Sequence, residues 1–132
     1  GLTRGSNRDI LVRATLESLA YQTRDVVEST QRDSGIRLRE LRVDGGAAQN
    51  NWLMQFQADL LNVPILRPAM VANTGKGAAL LAGIGIGWWT PRDVMTFVER
   101  PQRIFTPRMR DAQRRVLYAG WQAAVNRVRT RP

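Results

Sequence analysis

The stretch Val43-Asp44-Gly45-Gly46-Ala47, with Asn50 just beyond it, decides how this chain is read. Before it, Leu38, Leu41 and Val43 are separated by charged residues, so Ile36 to Val43 is predicted as a short strand that runs into a tight turn. After it, Trp52, Leu53, Phe56 and Leu60 recur at three-four spacing, which predicts a helix from about Gln49 to Leu61. Two adjacent glycines permit positive φ and let a ligand approach the backbone closely. The unsatisfied amides and dipole at the start of the following helix favour a phosphate or a polar base edge. Asn50 and Asn51 fall in the predicted first turn, where a carboxamide offers both donor and acceptor to an adenine edge or a ribose. A double glycine between a strand and a helix also serves as a plain tight connection, and Asp44 also serves as a turn or helix cap.

Outward from this turn the pattern alternates between helix and strand. Ile10, Leu11, Ala14, Leu16, Leu19, Ala20, Val26 and Val27 mark an amphipathic helix over residues 8 to 31, with Asp33-Ser34-Gly35 as its end and Gly35 as a left-handed cap. Val63 to Leu66 reads as a second short strand closed by Pro68. Thr74 to Gly87 reads as a helix rich in small and apolar residues, expected to lie buried between layers. Thr90-Pro91 supplies an N-cap and first position for a short helix to about Val98. A last helix is expected from about Met109 to Arg127, with Val116, Leu117, Trp121 and Val125 on one face and a frayed basic tail from Arg127 to Pro132. Helices and strands in this order define an α/β layered fold, and two strands make an incomplete sheet.

Composition narrows the chemistry. The chain has 132 residues, 43% of them apolar, which supports one packed domain or a large part of a bigger one. It has no cysteine and no histidine. That removes thiolate chemistry, thiolate metal sites and the commonest general base. The net charge is +9, from 20 basic and 11 acidic residues, and Lys76 is the only lysine. Such a balance suits phosphate-bearing ligands or nucleic acid. The arginines are spread from Arg4 to Arg131, however, as on ordinary solvated faces. No targeting pattern is visible, and the start Gly1-Leu2-Thr3-Arg4-Gly5 lacks a methionine, so the chain is expected to begin inside a longer protein. The longest nearly apolar run, Ala78 to Trp89, has 12 residues, short of the roughly 20 that span a bilayer. A soluble cytoplasmic protein is expected.

Other motifs fail on inspection. Gly75-Lys76-Gly77 invites a phosphate-loop reading, but Met70 stands where its first glycine belongs and Gly77 where Ser or Thr belongs. Gly83, Gly85 and Gly87 do not complete a dinucleotide fingerprint, and Gly83 and Gly87 better suit close helix packing. Trp52, Trp88 and Trp121 read as core and interface anchors rather than sugar-stacking platforms.

Collinear stretches give a more specific signal. They comprise Gly1-Leu2-Thr3-Arg4-Gly5, Arg13-Ala14-Thr15-Leu16-Glu17-Ser18-Leu19-Ala20-Tyr21-Gln22-Thr23-Arg24-Asp25-Val26 and Leu41-Arg42-Val43-Asp44-Gly45-Gly46-Ala47. Asn50-Asn51-Trp52-Leu53-Met54-Gln55-Phe56-Gln57-Ala58-Asp59 and Tyr118-Ala119-Gly120-Trp121 continue them. Together they resemble the carboxy-terminal part of the FGGY carbohydrate kinases, and within that family its glycerol kinases. The resemblance implies an actin-like ATPase (ribonuclease H-like) fold, of which residues 1 to 132 would be part of the second domain. It implies a reaction in which MgATP gives its γ-phosphoryl group to glycerol, forming glycerol 3-phosphate. It also implies that Gly46 lies against the nucleotide phosphates and sugar, that Asn50 contacts the adenosine part and that Gly45 neighbours both.

On the same resemblance, the catalytic aspartate, the first phosphate loop, the glycerol-binding residues and most Mg2+ ligands lie upstream. No catalytic or metal-binding residue is therefore expected in this chain, which would be inactive alone. Its expected partners are ATP or ADP, glycerol through the amino-terminal domain, and further copies of the full-length enzyme, with neither membrane nor nucleic acid. Asp44 is read as support for the glycine turn. The apolar face of the first helix is expected to be left uncovered without the rest of the protein. Two departures stand out. Ile10 replaces a histidine of the family, and Thr74-Gly75-Lys76-Gly77-Ala78-Ala79 replaces Thr-Ala-Leu-Gly-Ala-Ala, so Gly75 weakens that helix start by about 1 kcal/mol. A pentulose or gluconate kinase of the same family is the alternative reading. A free-standing basic module that binds nucleic acid is a more distant one.

Overall fold

A computed structural model describes residues 2–69, 73–97 and 101–129. Helix α1 (Arg8–Ser34) opens on Asn7, whose side-chain oxygen accepts from Ile10 N at 3.0 Å, and closes on Gly35 at φ 69°. Gly35 N donates to Gln31 O at 3.0 Å, the left-handed cap that the glycine predicts. Strand β1 (Leu41–Arg42) leads through a 3₁₀ turn (Gly46–Gln49) into α2 (Asn51–Leu61) and then β2 (Ile65–Pro68). Next come α3 (Asn73–Gly85), α4 (Pro91–Val94) with a 3₁₀ turn (Met95–Phe97), β3 (Pro101–Phe105) and α5 (Asp111–Val128).

The three strands form one sheet in the order β1-β2-β3. β1 and β2 are parallel, with Leu41 opposite Ile65, and α2 makes the crossover between them. β2 and β3 are antiparallel, with Ile65 opposite Phe105 and Arg67 opposite Arg103. The carboxyl ends of β1 and β2 and the amino end of β3 therefore share one edge, and the glycine turn sits there.

The core forms around α2. Leu53, Met54, Phe56, Ala58 and Leu60 are buried against Ile65 and Phe105 of the sheet, Ala20 and Tyr21 of α1 and Tyr118 of α5. Tyr21 meets Phe56 edge-on at 5.7 Å and stacks on Trp121 at 5.3 Å between ring centroids, so one aromatic residue ties three helices together.

The outline of the fold follows the sequence, and its differences have physical causes. Only Leu41 and Arg42 of the predicted strand from Ile36 to Val43 are strand, because just there does β2 lie alongside. Leu38 N is instead satisfied by Gln31 Oε1 of α1 at 2.6 Å. The second strand is displaced to Ile65–Pro68. β3 was not anticipated, because Pro101 and the charged Arg103 mask its pattern. An edge strand tolerates proline at its first position. The helix expected to be buried, α3, is largely exposed, and Leu81 is 70% accessible. Among the described residues it lacks an apolar layer to cover it. Gly83 does allow close packing, but against the ring of Trp89, which would lie 2.0 Å from an added Cβ. Gly87 instead follows α3 with φ 78°.

On α5, Leu117 of the expected face packs on the core and Val125 is half-buried. Tyr118 is buried while Val116 is exposed. Trp121 packs on the core as expected, Trp52 stacks on Phe56 at 5.0 Å, and Trp88 is exposed and meets Trp89 edge-on at 6.3 Å rather than entering the core. Thr90 caps α4 through reciprocal bonds with Asp93, as its sequence predicts, while Val98 and the tail beyond Arg129 lie outside the described residues. Ile10, Leu11, Val12 and Val26 of α1 are exposed, as expected of a helix that needs another layer.

Candidate nucleotide-binding site

The site begins where β1 ends. Val43 N donates to Leu66 O at 3.0 Å, which holds the chain to the sheet just before the turn. Gly45 then takes φ 85° and ψ 176°, a conformation open essentially to glycine alone. It also heads the 3₁₀ turn, accepting Ala48 N at its carbonyl at 3.1 Å. Gly46 follows on the exposed side, and a Cβ built on either glycine meets no heavy atom within 4 Å. The backbone at Gly45 and Gly46 thus borders open space, which a bound group can occupy without displacing protein.

The helix behind the turn does not start directly after the glycines. The 3₁₀ turn intervenes, and Asn50 is the N-cap of α2 rather than a member of its first turn. Its Oδ1 accepts from Leu53 N at 3.0 Å, the usual way a side chain satisfies a free amide at a helix start. The capping fixes the carboxamide, which makes no other hydrogen bond among the described residues, so its Nδ2 donor remains available at the turn. Gly45, Gly46 and Asn50 are therefore gathered on one short segment. Asp44 is exposed on the strand side of the same segment.

A residue missed by sequence reasoning completes the arrangement. Arg67 of β2 reaches across from the adjacent strand, and its Nη1 lies 2.9 Å from Ala48 O, 3.2 Å from Gln49 O and 3.0 Å from Asn51 Oδ1. The two carbonyls belong to the end of the 3₁₀ turn, where backbone acceptors lack helical partners. Arg67 and Arg103, opposite each other in the sheet, both approach the ring of Phe105, at 5.4 and 4.8 Å. One clue was in the sequence: an arginine in a short, otherwise apolar strand needs a partner. Its partners, however, are two backbone carbonyls and the Asn51 carboxamide, which only the fold brings to it.

Among the described residues no three His, Cys, Asp or Glu side chains converge as a metal site. The side chains with shifted acidity lie elsewhere. Burial raises the Tyr118 phenol, reinforced by its hydrogen bond to Asp25, and burial beside Glu17 raises Tyr21. Hydrogen bonds from Thr90 lower Asp93, and Arg114 lowers Asp111. None of these groups belongs to the turn. Its fixed chemistry is donors, dipoles and open backbone, which positions a ligand rather than moving protons on it.

A parallel β–α–β pair with a glycine turn at the carboxyl end of its first strand defines an α/β layer that binds ligand at that edge. Residues 1–86 match the C-terminal domain of the FGGY family of carbohydrate kinases. The chain belongs to this family. It is 54% identical over 129 residues to glycerol kinase of Petrotoga mobilis and equally to glycerol kinase 2 of Pseudomonas aeruginosa, covering 98% of this chain and 26% of each relative. It thus spans about a quarter of the length of the curated relatives it matches. Its structure is similar to that of Plasmodium falciparum glycerol kinase with ADP, with a TM-score of 0.82 and 34% identity over 100% of this chain and 26% of that one. A xylulose kinase from Rhodospirillum rubrum follows the same fold with a TM-score of 0.71 and 27% identity over 97% of this chain and 26% of that one. The three-stranded mixed sheet is therefore an incomplete piece of the actin-like ATPase fold of these kinases.

Proposed function

We propose that this chain is the ATP-binding carboxy-terminal part of a glycerol kinase, acting in the cytoplasm. The observation that carries the proposal is the open backbone at Gly45 and Gly46, set at the ligand-binding edge of a chain 54% identical to glycerol kinases. In this reading Gly46 faces the phosphates and sugar of the nucleotide, Gly45 shapes the turn, and Asn50 Nδ2 donates to the adenosine part.

Phosphoryl transfer depends on positioning and on neutralising charge on the moving group, so residues that only hold the nucleotide are a substantial part of the machinery. Here Gly45, Gly46 and Asn50 bind and orient. Mg2+ would arrive on the phosphates, with its protein ligands mainly in the rest of the enzyme. The general base and the glycerol-binding residues belong there too. No helix among the described residues is long and apolar enough to cross a bilayer.

The test is a chimera in which this chain replaces the matching quarter of the Pseudomonas aeruginosa glycerol kinase 2. The expected result is ADP release that depends on glycerol, with no turnover by the 132-residue chain alone. A folded chimera without activity, beside an active parent enzyme, overturns the proposal. So does robust glycerol phosphorylation by the isolated chain.

A further inference from the structure

We infer that Arg67 is a positioning residue for the nucleotide, acting through the turn rather than by touching the ligand. The inference rests on the proposed ATP site and deepens it. The path from Gly46 to Asn50 is short and carries both proposed contacts. Gly45 and Gly46 bring no side chains to hold this path, its open side faces no protein, and within it Ala48 is buried in the core. The constraint comes from the opposite side. A single guanidinium nitrogen of Arg67 gathers Ala48 O, Gln49 O and Asn51 Oδ1 within 2.9 to 3.2 Å. Hydrogen bonds from a charged donor are stronger than neutral ones, and these three bracket Asn50 on both sides in sequence.

The cost of this arrangement supports the assignment. Arg67 stands directly opposite Arg103 in the antiparallel register, and like charges so placed oppose strand pairing. An apolar residue would fit β2 without that repulsion. The arginine gains its place by satisfying acceptors at the end of the 3₁₀ turn, and its guanidinium lies 5.4 Å from the Phe105 ring centre. Arg67 thus ties the nucleotide turn to the sheet, beside the buried Ala48 and the bond from Val43 N to Leu66 O.

Two measurements test this. In the 132-residue chain without nucleotide, hydrogen exchange of the segment 46–53 should accelerate about tenfold in Arg67→Met. That variant keeps the stem, and exchange in α5 should be unchanged. In the chimera described above, Arg67→Met should raise the KM for MgATP roughly tenfold while the KM for glycerol stays constant, and Arg67→Lys should recover part of the loss. A role in general stability alone would move both KM values or neither. An unchanged KM for MgATP in an active Arg67→Met chimera overturns the inference and leaves the ATP site standing. An inactive wild-type chimera overturns both. Should Arg67→Met fail to fold, Arg67→Lys alone carries the test, with an unchanged KM for MgATP and unchanged exchange counting against the inference.

Discussion

Asn50 Oδ1 accepts the backbone amide of Leu53 at 3.0 Å, so the proposed adenosine contact is at the same time the cap of α2. The two roles use opposite ends of one carboxamide and can be separated. Asn50→Asp keeps an accepting oxygen, and its charge suits a helix amino end. It replaces the Nδ2 donor with a second, charged oxygen. Its unfolding midpoint in urea should match the wild type, while the KM for MgATP of the chimera rises. Asn50→Ala loses both ends and should cost about 1 kcal/mol of stability as well. If Asn50→Asp leaves the KM unchanged, the residue is only a cap.

Gly45 and Gly46 make a second contrasting pair. At Gly45, φ 85° and ψ 176° exclude an ordinary side chain, so Gly45→Ala should destabilise the chain by about 1–3 kcal/mol. At Gly46 no positive φ is present and a Cβ meets nothing within 4 Å. Gly46→Ala should therefore fold with wild-type stability, yet place a methyl group where the nucleotide would lie. Thermal unfolding gives the first comparison, and MgATP dependence of the chimera gives the second. Equal nucleotide use by Gly46→Ala and wild type would remove Gly46 from the site.

How far the sequence reveals this protein depends on the range of each interaction. The caps at Gly35 and Thr90 were legible because a cap is a local event decided within a few residues. So was α2, whose three-four spacing survives any context. The strands were not legible to the same degree, because Ile36 to Val43 carries the right alternation but finds a neighbour only at Leu41 and Arg42. The exposure of α3 was misread for a related reason. An apolar helix announces that it needs a cover, but not that the cover lies within this chain. At the site, the glycines were readable from their chemistry. The sequence pattern puts Asn50 one step inside the helix that it caps, and it hides Arg67, whose partners are main-chain carbonyls 18 and 19 residues away and a carboxamide oxygen 16 away.

A third prediction concerns the loop that launches α5. Asp59 Oδ1 on α2 accepts Arg108 N at 2.6 Å and Met109 N at 3.1 Å, and Gln55 Nε2 at 3.2 Å. Asp59→Ala leaves two backbone donors without their partner and should cost about 1–3 kcal/mol. Asp59→Asn retains an oxygen for those amides and should cost less. Hydrogen exchange at Arg108 and Met109 should rise in the first variant far more than in the second. Equal protection in both would mean that the loop is held by other contacts.

The last prediction follows from the junction of α1 and α5. The Tyr118 hydroxyl donates to Asp25 Oδ1 at 2.5 Å, Trp121 Nε1 donates to Asp25 Oδ2 at 2.8 Å, and the Arg24 guanidinium lies 3.7 Å from the Tyr118 ring centre. Burial and the neighbouring carboxylates hold the phenol protonated well above its ordinary value of 10.0. The sign follows directly. Below pH 10 the phenol is neutral in both states and its contribution is fully present. As pH rises beyond that, the unfolded phenol ionises while the folded one keeps its proton, so stability falls. Burial raises Tyr21 as well, adding a slope of the same sign. Tyr118→Phe should therefore cost about 1–2 kcal/mol at neutral pH through the lost hydrogen bond. It should also lose less stability than the wild type on going from about pH 8 to about pH 11, with a residual slope from Tyr21. Urea unfolding of both proteins at the two pH values checks this. Equal alkaline losses would show that Tyr118 does not carry the dependence.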